Sequence, residues 1–138
     1  MLSRKGFTLV ELMVVILIVA ILAAVAIPIM RGRIDAAKWS EGKAMMGTIA
    51  TAVRAYCAEL DENVLDLTVL NKDTDLGFRP GDLTGTYFTQ DNFNIIEGSY
   101  NVMNNALLFK IEGTKGTGIN GPDSYTLDQA GQWTAGGI

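Results

Sequence analysis

One carboxylate, Glu11, stands in an apolar run of 24 residues that extends from Phe7 to Met30. Thr8 is the other polar residue in this run, which also contains Pro28. A charged side chain on a helix inside hydrocarbon costs roughly 2.5–3.5 kcal/mol on insertion scales, so such a residue is functional by default. The chemistry open to this carboxylate is ionic, because pairing with a cation compensates for its removal from water.

No other part of the sequence points to catalysis. The chain contains no histidine, so it has neither a histidine acid–base catalyst nor a Cys/His pair. The single cysteine, Cys57, cannot form an intramolecular disulfide, and its place on the apolar side of a helix predicts a buried thiol. The remaining carboxylates fall in loops and on a solvated helix face, as charged residues usually do. The sequence therefore predicts a protein that is not an enzyme, with no catalytic residue, no metal site and no cofactor.

The apolar segment has two ordinary interpretations. As a helix it would be about 36 Å long, against a hydrocarbon core of about 30 Å. A secretory signal would use Arg4 and Lys5 as its charged region and Ala24-Val25-Ala26 as its cleavage site, but its apolar part is usually only 7–15 residues long. A plain membrane anchor is poorly oriented by charge, because Arg31 and Arg33 follow the segment on its other side. Neither interpretation needs an acid inside the segment.

A third interpretation does use the acid. The residues Gly6-Phe7-Thr8-Leu9-Val10-Glu11-Leu12-Met13, preceded by the basic pair Arg4-Lys5, resemble the processing site of type IV pilins and type II secretion pseudopilins. The resemblance implies that residues 1–6 are a leader peptide, removed between Gly6 and Phe7 by a prepilin peptidase/methyltransferase. It also implies that Phe7, the new first residue, is N-methylated, and that Glu11 becomes the fifth residue of the mature chain.

The same resemblance gives Glu11 a role in assembly. In the family, this acid is thought to pair with the amine of the first residue of an adjacent subunit, here Phe7. Monomethylation leaves that amine protonatable, and within one chain the two groups are also close enough in sequence to pair. An unpaired carboxylate in an apolar filament core would be penalised, so the pair selects the correct register. Pro28 corresponds to a position where the family's helix bends or melts, because proline removes a backbone hydrogen bond; the alternative is a tolerated kink without a role.

The helix that carries these residues continues beyond the apolar segment, residues 7–30, as an amphipathic half, residues 31–62. Its apolar positions recur at spacings of three and four, which predicts one buried stripe: Ile34, Ala37, Met45, Ile49, Ala52, Val53, Tyr56 and Leu60. The charged positions are predicted to be solvated: Arg31, Arg33, Asp35, Lys38, Glu41 and Lys43. Trp39 is flanked by charge; a subunit contact and a membrane interface are both open for it, and the sequence favours neither.

Residues 63–138 form the predicted soluble part, an αβ-loop followed by an antiparallel sheet of about four strands. The runs with strand character are Gly85–Thr89, Asn92–Glu97, Ser99–Met103, Ala106–Glu112, Ser124–Asp128 and Gln132–Ala135. Asn104-Asn105 and Gln129-Ala130-Gly131 are predicted hairpin turns. The glycine-rich segment 113–124 contains one carboxylate, so a flexible surface loop is favoured over the calcium loop of major pseudopilins.

The predicted fold is therefore α+β and pilin-like, with a long N-terminal helix packed on a small antiparallel sheet. The resemblance implies a structural pilin that polymerises into a type IV pilus-like helical filament. The alternatives are a type II secretion pseudopilin and a minor pilin-like adhesion or DNA-uptake module. The expected partners are further copies of the chain, the inner membrane, the prepilin peptidase/methyltransferase and the assembly machinery. The net charge of −4 argues against nucleic acid as the main partner. The expected location is the inner membrane as a single-pass prepilin, then a surface pilus or periplasmic pseudopilus.

Overall fold

The computed structural model describes residues 6–137, so the predicted basic leader pair, Arg4 and Lys5, lies outside the described part. The regular elements are helix α1, a short 3-10 helix and four strands: α1 Leu9–Ala58, the 3-10 helix Gln90–Asn92, β1 Phe93–Asn101, β2 Ala106–Thr114, β3 Ser124–Asp128 and β4 Trp133–Gly136. The contacts divide the chain into two units, of which the first ends at Ile34 and the second begins at Asp35.

The first unit is the apolar part of α1. Its large hydrophobic side chains are exposed along the whole segment, from Phe7 at 79% to Ile34 at 47%. An 18-residue window of α1 has a mean hydropathy of 3.2, and none of that window is buried. By length and composition, α1 is the one helix within residues 6–137 that could cross a membrane.

The second unit has a hydrophobic core of its own, built between α1 and the sheet. The buried residues of α1 recur at spacings of three and four along one face: Asp35, Trp39, Gly42, Met46, Ile49, Ala50, Val53 and Cys57. They join buried side chains of the strands, of the loop before the sheet and of the loop between β2 and β3: Leu67, Leu83, Phe88, Phe93, Tyr100, Phe109, Ile111, Ile119 and Leu127. The prediction of an α+β, pilin-like arrangement is confirmed, and so is the burial of Cys57.

The sheet is an antiparallel meander in the order β1-β2-β3-β4. The two predicted hairpin turns are present, with φ of 50° at Asn105 and 80° at Gly131. A bulge between Ile95 and Glu97 interrupts the register of β1 with β2. The four strands match the predicted number, and β3 has the predicted bounds.

The αβ-loop, residues 59–89, is fastened to β1 by backbone and side-chain hydrogen bonds. Val64 pairs with Tyr100 as an isolated bridge. The Lys72 Nζ donates to the carbonyl oxygens of Gln90 at 2.7 Å and Phe93 at 2.5 Å. Burial lowers the pKa of Lys72, against the opposing effect of nearby carboxylates. These bonds hold the loop to the start of the sheet.

One part of the αβ-loop, the turn Arg79–Asp82, is exposed and closed by local bonds alone. The amide of Asp82 donates to the carbonyl of Arg79 at 3.0 Å, and the amide of Arg79 donates to the Asp82 carboxylate at 2.9 Å. Gly81 has φ of 99°, a conformation that favours glycine. Leu83, which follows at once, is buried in the core.

Two strand predictions are wrong. Residues 85–89 form no strand, because the amides of Tyr87 and Phe88 donate to the Glu41 carboxylate instead of to a neighbouring strand. The predicted strands on either side of Gly98 are one continuous strand, β1. Gly98 does not interrupt the strand but leaves room for Leu67: a Cβ at Gly98 would lie 2.8 Å from the Leu67 Cβ.

The predicted stripe of α1 is correct at Ile49 and Val53 but wrong at its start. Ile34 is exposed, whereas Asp35, predicted to be solvated, is 8% exposed. Trp39 is neither an exposed subunit contact nor an interfacial residue. It is 3% exposed and packs against Phe88 and Tyr125, with ring centroids 5.1 and 4.7 Å away. The large ring determines which face of the helix is buried, and Asp35 lies one turn earlier on that face.

Candidate functional site at the start of the helix

The predicted processing site lies in non-helical backbone just before α1. Gly6 and Phe7 are both exposed, and a Cβ built at Gly6 would meet no atom within 4 Å. The Phe7 side chain is 79% exposed. Both residues that flank the predicted cleavage site are therefore exposed.

Thr8 caps the first turn of α1, a role that sequence reasoning missed. Its carbonyl accepts from the amide of Leu12 at 3.2 Å, and its Oγ1 accepts from the amide of Glu11 at 3.2 Å. A threonine followed three residues later by glutamate is the sequence signature of a capping box, so the signal was present. The hydroxyl satisfies a backbone donor that would otherwise have no partner in lipid.

Glu11 lies in the first turn of α1, where a negative charge interacts favourably with the positive end of the helix dipole. The side chain is exposed, and none of the ion pairs found within residues 6–137 includes it. Phe7 lies outside the helix, so the one-turn spacing of an intrachain pair with Glu11 is not formed in the uncleaved chain. In this arrangement the carboxylate can accept a cation from outside the chain.

Pro28 lies inside α1 without ending it. Because proline has no amide hydrogen, the carbonyl of Ala24, four residues earlier, receives no helical bond from it. The turn before Pro28 therefore has one helical hydrogen bond fewer than its neighbours. The bend or melting of the helix at Pro28 stays a prediction.

The glycine-rich segment is exposed at half of its twelve positions and is anchored to the rest of the second unit. Lys115 and Asp123 form an ion pair at 2.6 Å across its base. Lys38 Nζ donates to the carbonyl of Gly118 at 2.5 Å, and Ile119 is buried in the core. Asp123, the one carboxylate of this segment, is thus paired with Lys115. No group of three metal-ligating side chains occurs in the described part of the chain.

Asp35 is the second charged contact between α1 and this segment. The backbone of Asn120 hydrogen-bonds the carboxylate and holds the pKa of Asp35 below its ordinary value, against the opposing effect of burial. The Asn120 side chain and Lys38, whose Nζ lies 3.6 Å from the carboxylate, act in the same direction. The contact fastens the segment to the helix at the boundary of the second unit.

The start of the chain carries a recognised processing motif. Residues 1–27 match the family model described as the prokaryotic N-terminal methylation motif. This match includes Gly6 and Phe7 and most of the apolar helix. The first segment of the chain is therefore similar to segments that carry this motif.

The relatives identify the kind of protein in which this segment occurs. The chain is 34% identical over 76 residues to a fimbrial protein of Pseudomonas aeruginosa, a match that covers 55% of this chain and 49% of the relative. It is 42% identical over 58 residues to the type IV major pilin protein PilA of Myxococcus xanthus, covering 42% and 26%. It is 43% identical over 54 residues to the type II secretion system core protein G of Pseudomonas aeruginosa, covering 39% and 38%.

The matches therefore span about half or less of these relatives' lengths. No solved structure matches the chain. The predicted resemblance to type IV pilins and type II secretion pseudopilins is confirmed. The roles of Gly6, Phe7, Glu11 and Pro28 stay predictions.

Proposed function

We propose that this chain is a structural pilin: a prepilin peptidase cuts it between Gly6 and Phe7, its N-terminal helix holds it in the inner membrane, and it then polymerises into a type IV pilus-like filament. The observation that carries the proposal is the methylation motif of residues 1–27, which continues into an exposed apolar helix. Its fimbrial and pilin relatives support the same function.

The exposed apolar part of α1 needs an environment that shields it from water. Its large hydrophobic side chains are exposed, whereas the hydrophobic core of the second unit begins at Trp39. Soluble proteins rarely expose contiguous apolar surface of this extent, and such surfaces mark membrane or protein contacts. A bilayer covers the helix before assembly, and the helices of neighbouring copies cover it in the filament.

Glu11 makes the transfer of the helix from the bilayer to the filament specific for one axial position. Cleavage creates an ammonium group on Phe7, and Glu11 lies in the first helical turn without an ion-pair partner among the described residues. A pair between the Phe7 amine of one copy and the Glu11 carboxylate of the next satisfies both charges inside the apolar core. A copy in the wrong axial position leaves both charges unpaired and is rejected.

The second candidate function is that of a type II secretion pseudopilin. The similarity to the type II secretion core protein G favours it, at an identity comparable to that of the pilin PilA. The pilus is favoured here because the loop compared with the calcium loop of major pseudopilins has its one acid, Asp123, paired with Lys115.

The test follows the mature chain and the filament in the same cells. Mass spectrometry of the exported chain should show N-methylated Phe7 as the first residue, and Gly6→Val should retain the leader. Glu11→Ala should be cleaved normally yet deplete the sheared filament fraction at least tenfold. The matched control is Glu59→Ala, which removes an exposed acid just after α1 and should leave filament yield unchanged.

Two results would overturn these assignments. A mature chain that begins at Ile27 would mean that the helix is discarded, and with it the filament function. Normal filaments from Glu11→Ala would remove the assembly role of the acid. Recovery of the chain from the periplasm instead of from sheared surface fractions would favour the pseudopilin.

A further inference from the structure

Two arginines, Arg31 and Arg33, follow the apolar segment directly on the same helix. Both are exposed, and none of the ion pairs found within residues 6–137 includes either of them. Because α1 continues unbroken through them, residues two positions apart point in directions about 200° apart around the helix axis. The pair therefore places positive charge on opposite sides of the helix, as a collar.

The carboxylates of α1 that lie nearest to this collar in sequence already have hydrogen-bond or ion-pair partners. Between Glu11 and Asp35 the sequence contains no acid. Asp35 is engaged by Lys38 and Asn120, and the Glu41 Oε1 accepts from two backbone amides of the αβ-loop, at 2.9 and 3.3 Å. The collar thus lacks an acidic partner on its own helix.

The depth of the collar follows from the length of the apolar segment. Residues 9–30 of α1 rise about 33 Å, slightly more than the hydrocarbon core of about 30 Å. The next residues on the helix then lie at the level of the lipid headgroups. The guanidinium group binds phosphate oxygens through two parallel hydrogen bonds and carries its charge at any physiological pH.

We propose that Arg31 and Arg33 bind the phosphates of anionic phospholipids in the leaflet facing the second unit and so fix the depth of the helix. The proposal rests on the membrane-held state of the proposed function. Trp39 was the other candidate for an interfacial anchor, but it is buried in the core. Arginines on opposite sides of a helix set its height without selecting its rotation. The apolar faces around the helix therefore stay open to neighbouring copies.

The test uses the full chain in detergent micelles that contain equal amounts of phosphatidylglycerol and phosphatidylcholine. Native mass spectrometry counts the lipids retained on the chain. Each basic residue near an anionic surface strengthens attraction by about fivefold, so Arg31→Gln/Arg33→Gln should reduce the preference for phosphatidylglycerol by about 25-fold. The matched control, Arg54→Gln/Arg79→Gln, removes the same net charge from exposed positions of the second unit and should keep the wild-type preference.

Three outcomes would overturn the proposal. The first is a preference in the collar variant within twofold of wild type. The second is an equal loss in the control, which would show an effect of net charge alone. The third is a fall in the proportion of chain dimers in the same spectra with the lipid preference unchanged, which would place the arginines against a second copy.

A separate measurement distinguishes failure of this proposal from failure of the proposed function. The full chain is reconstituted in phosphatidylcholine vesicles and washed with alkaline carbonate. Release of the chain would show that the helix does not span the bilayer, and the proposed function would fail. Retention of the chain, combined with no phosphatidylglycerol preference, would overturn the arginine collar alone.

Discussion

Gly42 lies against the ring of Phe88 in the core, and it gives the sharpest test of the packing. A Cβ at this position would lie 2.7, 2.9 and 3.0 Å from three carbons of the Phe88 ring. The ring is fully buried and contacts Trp39 and Phe93, so it has no free direction in which to move. Gly42→Ala should therefore strain the core, although alanine is the better helix former.

The expected size comes from two opposing terms. Alanine gains about 1 kcal/mol over glycine in a helix interior. Forcing a methyl group into a packed core costs about 1–3 kcal/mol, so the net change at Gly42 is between zero and about 2 kcal/mol of destabilisation. Gly47, on the same helix, has no atom within 4 Å of the added Cβ, so Gly47→Ala should gain about 1 kcal/mol. The two variants should differ by about 1–3 kcal/mol.

The assay is thermal unfolding of the full chain in detergent, followed by tryptophan fluorescence. For a unit of about 100 residues, each kcal/mol shifts Tm by about 4–8 °C, which makes the difference between the variants easy to measure. In a double-mutant cycle, Gly42→Ala should cost less in a Phe88→Leu background, because the smaller side chain vacates the contact. Equal stabilisation by Gly42→Ala and Gly47→Ala would refute the close packing.

Three further predictions concern buried or half-buried groups of the second unit. Glu41→Ala leaves two backbone amides without their acceptor and should lower the free energy of unfolding in urea by about 1–3 kcal/mol. Hydrogen bonding from Asn120 lowers the pKa of Asp35, so its stabilising contribution is present above the ordinary value of 3.8 and is lost as the pH falls through the lower folded value. Asp35→Asn should therefore cost stability at pH 6 and little at the lowest pH at which the chain still folds. Burial raises the pKa of the Cys57 thiol, so the native chain should resist maleimide at pH 7 and react fully in urea.

Each of these predictions has its own control. Glu41→Gln keeps a carbonyl acceptor and should be less damaging than alanine, whereas a wild-type stability for Glu41→Ala would mean that water replaces the carboxylate. Glu59→Gln changes an exposed acid and should show none of the pH dependence expected of Asp35; equal losses at both pH values for Asp35→Asn would contradict the charge argument. Rapid native labelling of Cys57 would contradict its burial.

The elements with local signals were predictable from sequence. Strand β3 was predicted with its correct bounds, and both hairpin turns were found from their Asn-Asn and Gly-containing sequences. The family resemblance was equally predictable, because it depends on contiguous residues, whereas the cleavage between Gly6 and Phe7 stays a prediction. The methylation motif match covers this same contiguous stretch.

The errors came from contacts between residues distant in sequence. The runs on either side of Gly98 were predicted as separate strands. The reason for a glycine inside one strand is the close contact with Leu67, which lies about thirty residues earlier. Asp35 was predicted to be solvated because its partner, Asn120, lies far along the chain. Charge at one position says little about burial when the compensating group is supplied by another element.

The turn Arg79–Asp82 has a practical consequence for using the protein as a scaffold. It is held by bonds between its own ends, while Lys72 on one side and Leu83 on the other fasten the flanking chain. Lengthening a surface loop costs little free energy, about 0.6 kcal/mol for each doubling. A foreign peptide inserted between Pro80 and Gly81 would then be carried on the outside of the folded unit, and a polymer of such units would display it as an array of epitopes.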